Sequence, residues 1–227
     1  MTCVYLSVRY IASGPGHLDR LPCMIRLKHK DTATSKVILI DWGTRMISPL
    51  TPLTGLDVET IRTHGTTFEN AVATVRAEMT PETVIVGMNM KRHVHALHLC
   101  RNVHYGSYVD LTSLLKVKIG HRLHFLPLEV IASVLGYEPK ETDANSDLEM
   151  VQHVDTHCPT AAAISVVLGR LREHLHTNPK SHVPGIYSID GVCTSAYNER
   201  RCSCQQMTLN PLSFAHPTAQ TRRASGE

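Results

Sequence analysis

Fifteen histidines and seven cysteines in 227 residues supply many candidate ligands, bases and nucleophiles, so spacing has to choose among them. Cys193, Cys202 and Cys204, with His182 upstream, are the donor types of a Cys3His zinc knuckle. Arg200 and Arg201 beside Cys202 and Cys204 favour thiolate, which helps metal or redox chemistry alike. The Cys-x8-Cys-x-Cys spacing is not a standard zinc pattern, and unligated thiols satisfy it equally. His95 and His98, expected on one helix face, lack the intervening Glu and the i, i+4 spacing of a zinc hydrolase, so a solvated basic face is the plainer account. Lys116, Lys118, His121, Arg122 and His124 form the densest basic cluster. With Lys91 and Arg92 it could hold a phosphate backbone, while a solvated loop without a partner accounts for it as well.

These groups need a scaffold, and the composition allows one. The chain is 42% hydrophobic and 19% charged, enough for a core and unlike a disordered chain. A net charge of +3 fits a nucleic-acid partner without demanding one. The N-terminal apolar run is short and interrupted by Arg9, a strand and not a signal segment. No stretch approaches the ~20 apolar residues of a membrane span, so the expectation is an intracellular protein, cytoplasmic or nuclear, with reduced cysteines.

Three strands are expected first, over residues 3–10, 23–29 and 36–41, joined by short turns and therefore antiparallel. Residues 47–56 read as a proline-broken loop. A helix follows, with a Thr66/Glu69 capping box and a stripe of Phe68, Ala71, Val72, Val75 and Met79. Strand 83–87, a helix from Asn89 to Arg101 and strand 107–110 then alternate, which argues for parallel pairing. A helix from Leu128 stops before Gly136. A polar acidic loop from Lys140 to Leu148 leads to Pro159, placed at the first position of a helix striped by Ile164, Val167, Leu168, Leu171 and Leu175. From His176 the periodicity is lost.

Several fragments in this order resemble one family. Residues 3–16, Cys-Val-Tyr-Leu-Ser-Val-Arg-Tyr-Ile-Ala-Ser-Gly-Pro-Gly, keep the apolar frame and glycine-proline turn of the first strand of DEDDh-type 3′–5′ exonucleases, in the RNA exonuclease branch. Ser48 to Leu56 resembles the family's proline- and threonine-bearing loop, Val86-Gly87-Met88-Asn89 its Val-Gly-His-Asn, Tyr108-Val109-Asp110-Leu111 its Val-x-Asp-Thr, and His157-Cys158-Pro159 its His-x-Pro. The resemblance covers about residues 3–175. It implies a ribonuclease-H-like α/β fold, a mixed sheet of about five strands (three antiparallel, two parallel) flanked by helices.

The family's hydrolysis is a two-metal reaction, with magnesium ions about 4 Å apart on carboxylate oxygens. The resemblance puts Ser7, Arg9, His93 and Ala162 at the four acid positions; a shifted register for the last brings Cys158 there, also no carboxylate. His157 takes the place of the general base. Asp41 and Asp110 are expected at strand ends and Asp155 in a loop. The expectation is therefore a pseudonuclease, not an enzyme and without a catalytic cofactor. It would bind single-stranded RNA or DNA through Arg9, Lys91, Arg92, Lys116, Lys118 and Arg122. Two alternatives stand: a protein-interaction scaffold for RNA-processing partners, and an active 3′–5′ exonuclease with relocated ligands. The sequence fixes no oligomeric state.

The expected division is an exonuclease-like domain over 1–176 and a cysteine-bearing extension over 177–227, with about twenty terminal residues disordered by composition. If the extension holds a structural zinc, metal analysis should find about one zinc per chain, as a single four-ligand site requires. That zinc should fall on changing Cys202 and Cys204 to serine. Absence of zinc with freely titratable thiols would remove the knuckle.

Overall fold

The computed structural model describes residues 2–138, 146–178 and 188–194. Strands β1 (Cys3–Ala12), β2 (Arg20–His29) and β3 (Lys36–Leu39) form an antiparallel meander. A 3-10 turn at Gly43–Arg45 and helices α1 (Thr51–Thr54), α2 (Val58–His64) and α3 (Phe68–Ala77) follow. Strand β4 (Val84–Gly87), helix α4 (Met90–Ala96) and strand β5 (Ser107–Asp110) make a parallel crossover. Then come α5 (Leu111–Leu114), a hairpin of β6 (Val117–Ile119) and β7 (Arg122–His124), and α6 (Leu128–Val134). Helices α7 (Ser146–Thr156) and α8 (Ala161–Thr177) precede a small hairpin, β8 (Ser188–Ile189) and β9 (Val192–Cys193). The main sheet has the order β3-β2-β1-β4-β5, three strands antiparallel and two added in parallel, as expected.

Alternation along β1 sorts its residues onto two faces. Val4, Leu6 and Val8 join Ile25, Leu27, Ile85 and the apolar stripes of α3 and α4 in one core. Tyr5 faces the other way, into a core built from Val84, Val86 and helices α5 to α8. Ser7 and Arg9 follow Tyr5 on that second face, which a polar group reaches only if something there pairs with it.

Several boundaries differ from the sequence expectation, each for a local reason. The α3 cap is Thr67, whose hydroxyl accepts from Asn70 N, one residue later than the expected box. Helix α4 stops at Ala96 instead of Arg101, because His98 takes a left-handed backbone (φ 50°); His95 and His98 therefore share no helix face. Thr160, not Pro159, starts α8, its side chain accepting from Ala163 N. The expected 47–56 loop contains α1, and the basic 116–124 loop is the β6–β7 hairpin. Residues 146–148 of the expected acidic loop open α7, so Asp155 lies on a helix and not in a loop. Beyond residue 176, β8–β9 lies against Ala12 and Leu50 through Ile189 and Val192. Ser48 Oγ donates to Asp190 Oδ2 at 2.7 Å and Cys193 N donates to Pro15 O at 2.9 Å.

Gly87 shows how tightly β4 meets β1: a Cβ there would lie 2.4 Å from the Leu6 carbonyl oxygen. A Cβ on Gly169, within α8, would meet nothing within 4 Å. Gly87→Ala should therefore cost about 1–3 kcal/mol in urea unfolding through overpacking. Gly169→Ala should gain roughly 0.5–1 kcal/mol through helix propensity. Equal effects at the two positions would contradict this packing.

Candidate functional site

The site grows from α7. Leu148, Val151 and Val154 recur at helical spacing, are all buried, and set this helix on the Tyr5 face of the sheet. The same placement brings a row of polar α7 side chains against β1 and β2. Asp155 Oδ2 accepts from the Tyr5 hydroxyl at 2.9 Å and lies 3.9 Å from Lys30 Nζ. Gln152 Oε1 accepts from Lys28 Nζ at 2.9 Å. In the first turn, Asp147 reaches Ser7 and Arg9.

That contact is a two-pronged ion pair. Arg9 Nε donates to Asp147 Oδ2 at 2.7 Å and Arg9 Nη2 to Oδ1 at 2.6 Å, the fork geometry in which guanidinium and carboxylate bind most strongly. Arg9 Nη1 donates to the Thr54 carbonyl at 2.8 Å, which ties α1 to the same point. Ser7 Oγ donates to Asp147 Oδ2 at 3.5 Å. Arg26 stands directly opposite Ser7 in the β1–β2 register, so its side chain shares that face. It is 5% exposed, with Nη1 3.6 Å from Asp147 Oδ2. Burial, with the Arg9 charge second, holds its pKa below the usual arginine value.

Sequence reasoning missed Arg26 and Asp147. The signal for Arg26 was its place in β2: Ile25 and Leu27 alternate with Arg26 and Lys28, the pattern of a strand with one polar face. Asp147 lay within the Lys140–Leu148 segment that read only as a polar loop.

The structure does not bring the other expected site residues to this point. His93 is buried among residues of the opposite face, its Nδ1 2.8 Å from the Tyr10 hydroxyl, with the two rings stacked. Burial, reinforced by the nearby Arg92 charge, drives its pKa down to about 3. Ala162 is exposed in the first turn of α8. His157 Nδ1 donates to the His153 carbonyl at 2.8 Å, with the two imidazoles 4.4 Å apart. Lys91, Arg92, Lys116 and Lys118 are exposed, Arg92 lying over the Tyr10 ring at 4.3 Å. Arg122 contributes its backbone to the β6–β7 ladder opposite Ile119. Of the expected zinc ligands, Cys193 is buried in β9, while His182, Cys202 and Cys204 lie outside the described residues.

The remaining acids are engaged locally. Asp41 Oδ1 accepts from Gly43 N at 2.8 Å, just beyond β3. Asp110, at the end of β5, accepts from Asn89 N and Thr112 N, both at 3.0 Å. Among the described residues, no group of three or more His, Cys, Asp or Glu side chains is gathered as a metal site.

No family model matches the chain. No curated protein matches it either. Solved structures do match. The Saccharomyces cerevisiae Pan2 pseudoubiquitin hydrolase–RNA exonuclease module in complex with AAGGA RNA aligns with a TM-score of 0.59 at 17% identity, covering 78% of this chain and 32% of that one. E. coli Exonuclease I in complex with an oligonucleotide aligns with a TM-score of 0.53 at 18% identity, over 76% of this chain and 43% of that one. Exonuclease I from Methylocaldum szegediense gives 0.54 at 12%, over 77% and 45%. This chain thus spans less than half the length of each. The five-stranded mixed sheet with flanking helices is the ribonuclease-H-like fold of these exonucleases.

The buried His93 has a consequence for stability. The unfolded chain takes up this proton near pH 6.5 and the folded chain only near about 3, so the folded state is the poorer proton binder in between. Its contribution is complete above the unfolded value and is lost as pH falls through that window, at up to about 1.4 kcal/mol per pH unit. His93→Gln keeps an acceptor for Tyr10 and removes the titration, so its stability should depend less steeply on pH. Superimposable profiles for wild type and variant would show that His93 protonates freely in the fold.

Proposed function

We propose that this chain is a catalytically inactive exonuclease-like domain that binds nucleic acid. The observation that carries this reading is the Arg9–Asp147 pair. Where the resembled exonucleases place two acids on the first strand, Ser7 and Arg9 stand, and the carboxylate that reaches them spends both oxygens on a guanidinium. A magnesium ion needs several hard oxygens free of competing donors, and a permanent positive charge beside it opposes binding. The donor set here therefore fits a pair of magnesium ions poorly. Asp41 and Asp110 are already committed to backbone amides, and Asp155 to Tyr5. His157, which the resemblance puts at the general base, donates Nδ1–H to a backbone carbonyl and so keeps Nε2 as acceptor; inactivity rests on the metal ligands and not on this residue.

Nucleic-acid binding is supported by the company of the fold and by charge. Two of the similar structures were solved with RNA or an oligonucleotide. Exposed Lys91, Arg92, Lys116 and Lys118 offer positive charge outside the Arg9–Asp147 pair. Phosphate contacts of this kind position a strand without reading its sequence. The scaffold reading draws on a different observation: Leu123, Phe125 and Val166 are 53%, 50% and 59% exposed, apolar surface of the sort protein partners cover.

Purified protein should not trim single-stranded RNA or DNA with magnesium or manganese. Metal-dependent 3′–5′ trimming lost on His157→Ala would instead favour an active enzyme with relocated ligands. Binding to single-stranded RNA should weaken steeply with salt, because phosphate neutralisation releases counterions. Replacing Lys116 and Lys118 by glutamate should weaken it roughly tenfold or more, while Arg62→Glu on α2 should matter little. No binding at tens of micromolar, together with a protein partner retained after nuclease treatment, would transfer the assignment to the scaffold.

A further inference from the structure

Charge is out of balance on the face covered by α7. Ser7 and Arg26 oppose each other across β1 and β2, and Arg9 lies two residues along on the same side. Arg9 and Arg26 are both permanently charged, and among the described residues Asp147 is the one carboxylate paired with them, which leaves one positive charge over. Asp147 gives its two oxygens to Arg9, and Arg26 at 3.6 Å is an ion-pair neighbour beyond hydrogen-bond reach. Arg26 is only 5% exposed, yet its Nε and Nη1 have no hydrogen-bond partner among the described residues. A buried donor left unpaired is destabilising, and more so when it is charged. Two adjacent unpaired guanidinium donors, beside a serine hydroxyl and a second guanidinium, are the complement of a tetrahedral oxyanion.

We propose that Ser7, Arg9 and Arg26 form an anion site that takes a phosphate group of a nucleotide or nucleic acid, with Asp147 as an internal competitor for the same donors. The inference rests on the nucleic-acid reading for the source of the phosphate, but not for the site itself. Access is open in part, since the Arg9 and Asp147 side chains are 24% and 14% exposed. The charge preference is the inverse of a metal site: a carboxylate-lined pocket collects cations, whereas two guanidinium groups sharing one carboxylate collect an anion.

Calorimetric titration with inorganic phosphate tests the site, and titration with oligoadenylate, with and without a terminal phosphate, tests the source. Wild-type protein should bind inorganic phosphate. Arg26→Met should weaken that at least tenfold while leaving the fold at least as stable, because it removes an unsatisfied buried charge. Asp147→Asn should tighten it at least tenfold by removing the competing anion, an opposite sign that general loss of structure does not produce. Phosphate affinity unchanged in Arg26→Met, or weakened in Asp147→Asn, overturns the site. Absence of phosphate binding in both wild type and Asp147→Asn also overturns it, and oligoadenylate binding lost only in the Lys116/Lys118 variant then leaves the nucleic-acid reading standing. Phosphate binding with the expected mutant pattern, but none to oligoadenylate, keeps the site and removes the nucleic-acid reading.

Discussion

Asp147 sits in the first turn of α7 and closes on Arg9 with two hydrogen bonds at 2.6 and 2.7 Å, while Arg9 reaches on to the Thr54 carbonyl. Three separate parts of the chain meet there: the first strand, the short helix α1, and helix α7, whose Asp147 lies 138 residues from Arg9. The apolar stripe of Leu148, Val151 and Val154 supplies the area that docks α7. The ion pair supplies direction, since hydrophobic burial alone does not fix where along a strand a helix comes to rest. Tyr5–Asp155 and Lys28–Gln152 continue the same polar seam. A pair of this kind adds little over an apolar contact while both partners are present, but losing one partner strands a charge and costs several kcal/mol, roughly 3–5 when buried. Arg9 and Asp147 are therefore bound to one another as a pair, with Arg26 the surplus charge beside them.

Ser7 and Arg9 on β1 and Arg26 on β2 put a hydroxyl and two guanidinium groups on the face that α7 covers. Fold likeness at 17% and 18% identity identifies the architecture, and chemistry has to be argued from the side chains. Those side chains favour anions. His93 takes no part in that preference: it is a neutral imidazole, packed against Tyr10 on the other side of the sheet.

The sheet was legible because its signals are local. Alternation in β1 and β2, the buried run of β4 and the connections between strands marked three antiparallel strands and a parallel pair, and the family resemblance joined them in one sheet. Gly87 was readable as part of a motif, and its reason lies in the Leu6 carbonyl that a side chain would strike. Serine and arginine at residues 7 and 9 were legible too, because a period of two requires them to share a face. The partner of Arg9 was not legible. Asp147 lies 138 residues from Arg9, and nothing in the Lys140–Leu148 composition marks it as a partner. Helix α7 was missed because its first turn reads as polar loop and its apolar stripe is only three residues deep. Arg26 carried a weak sign in its alternation with Ile25 and Leu27, but an arginine in a strand is usually a solvated one. The shortened α4 depends on a positive φ at His98, a conformation histidine adopts only rarely and one that the sequence does not announce.

The preference of the β1 site for anions over divalent cations is the central claim, and manganese reports on it directly. Paramagnetic manganese broadens the nuclear resonances of any residue near its binding position, with no need for turnover. Titrated into isotope-labelled protein, it should leave the amide signals of Ser7, Arg9, Arg26 and Asp147 unbroadened at concentrations where free carboxylate sites fill. Selective broadening of those four, reversed by magnesium, would mean that the site still holds a divalent metal and would contradict the account.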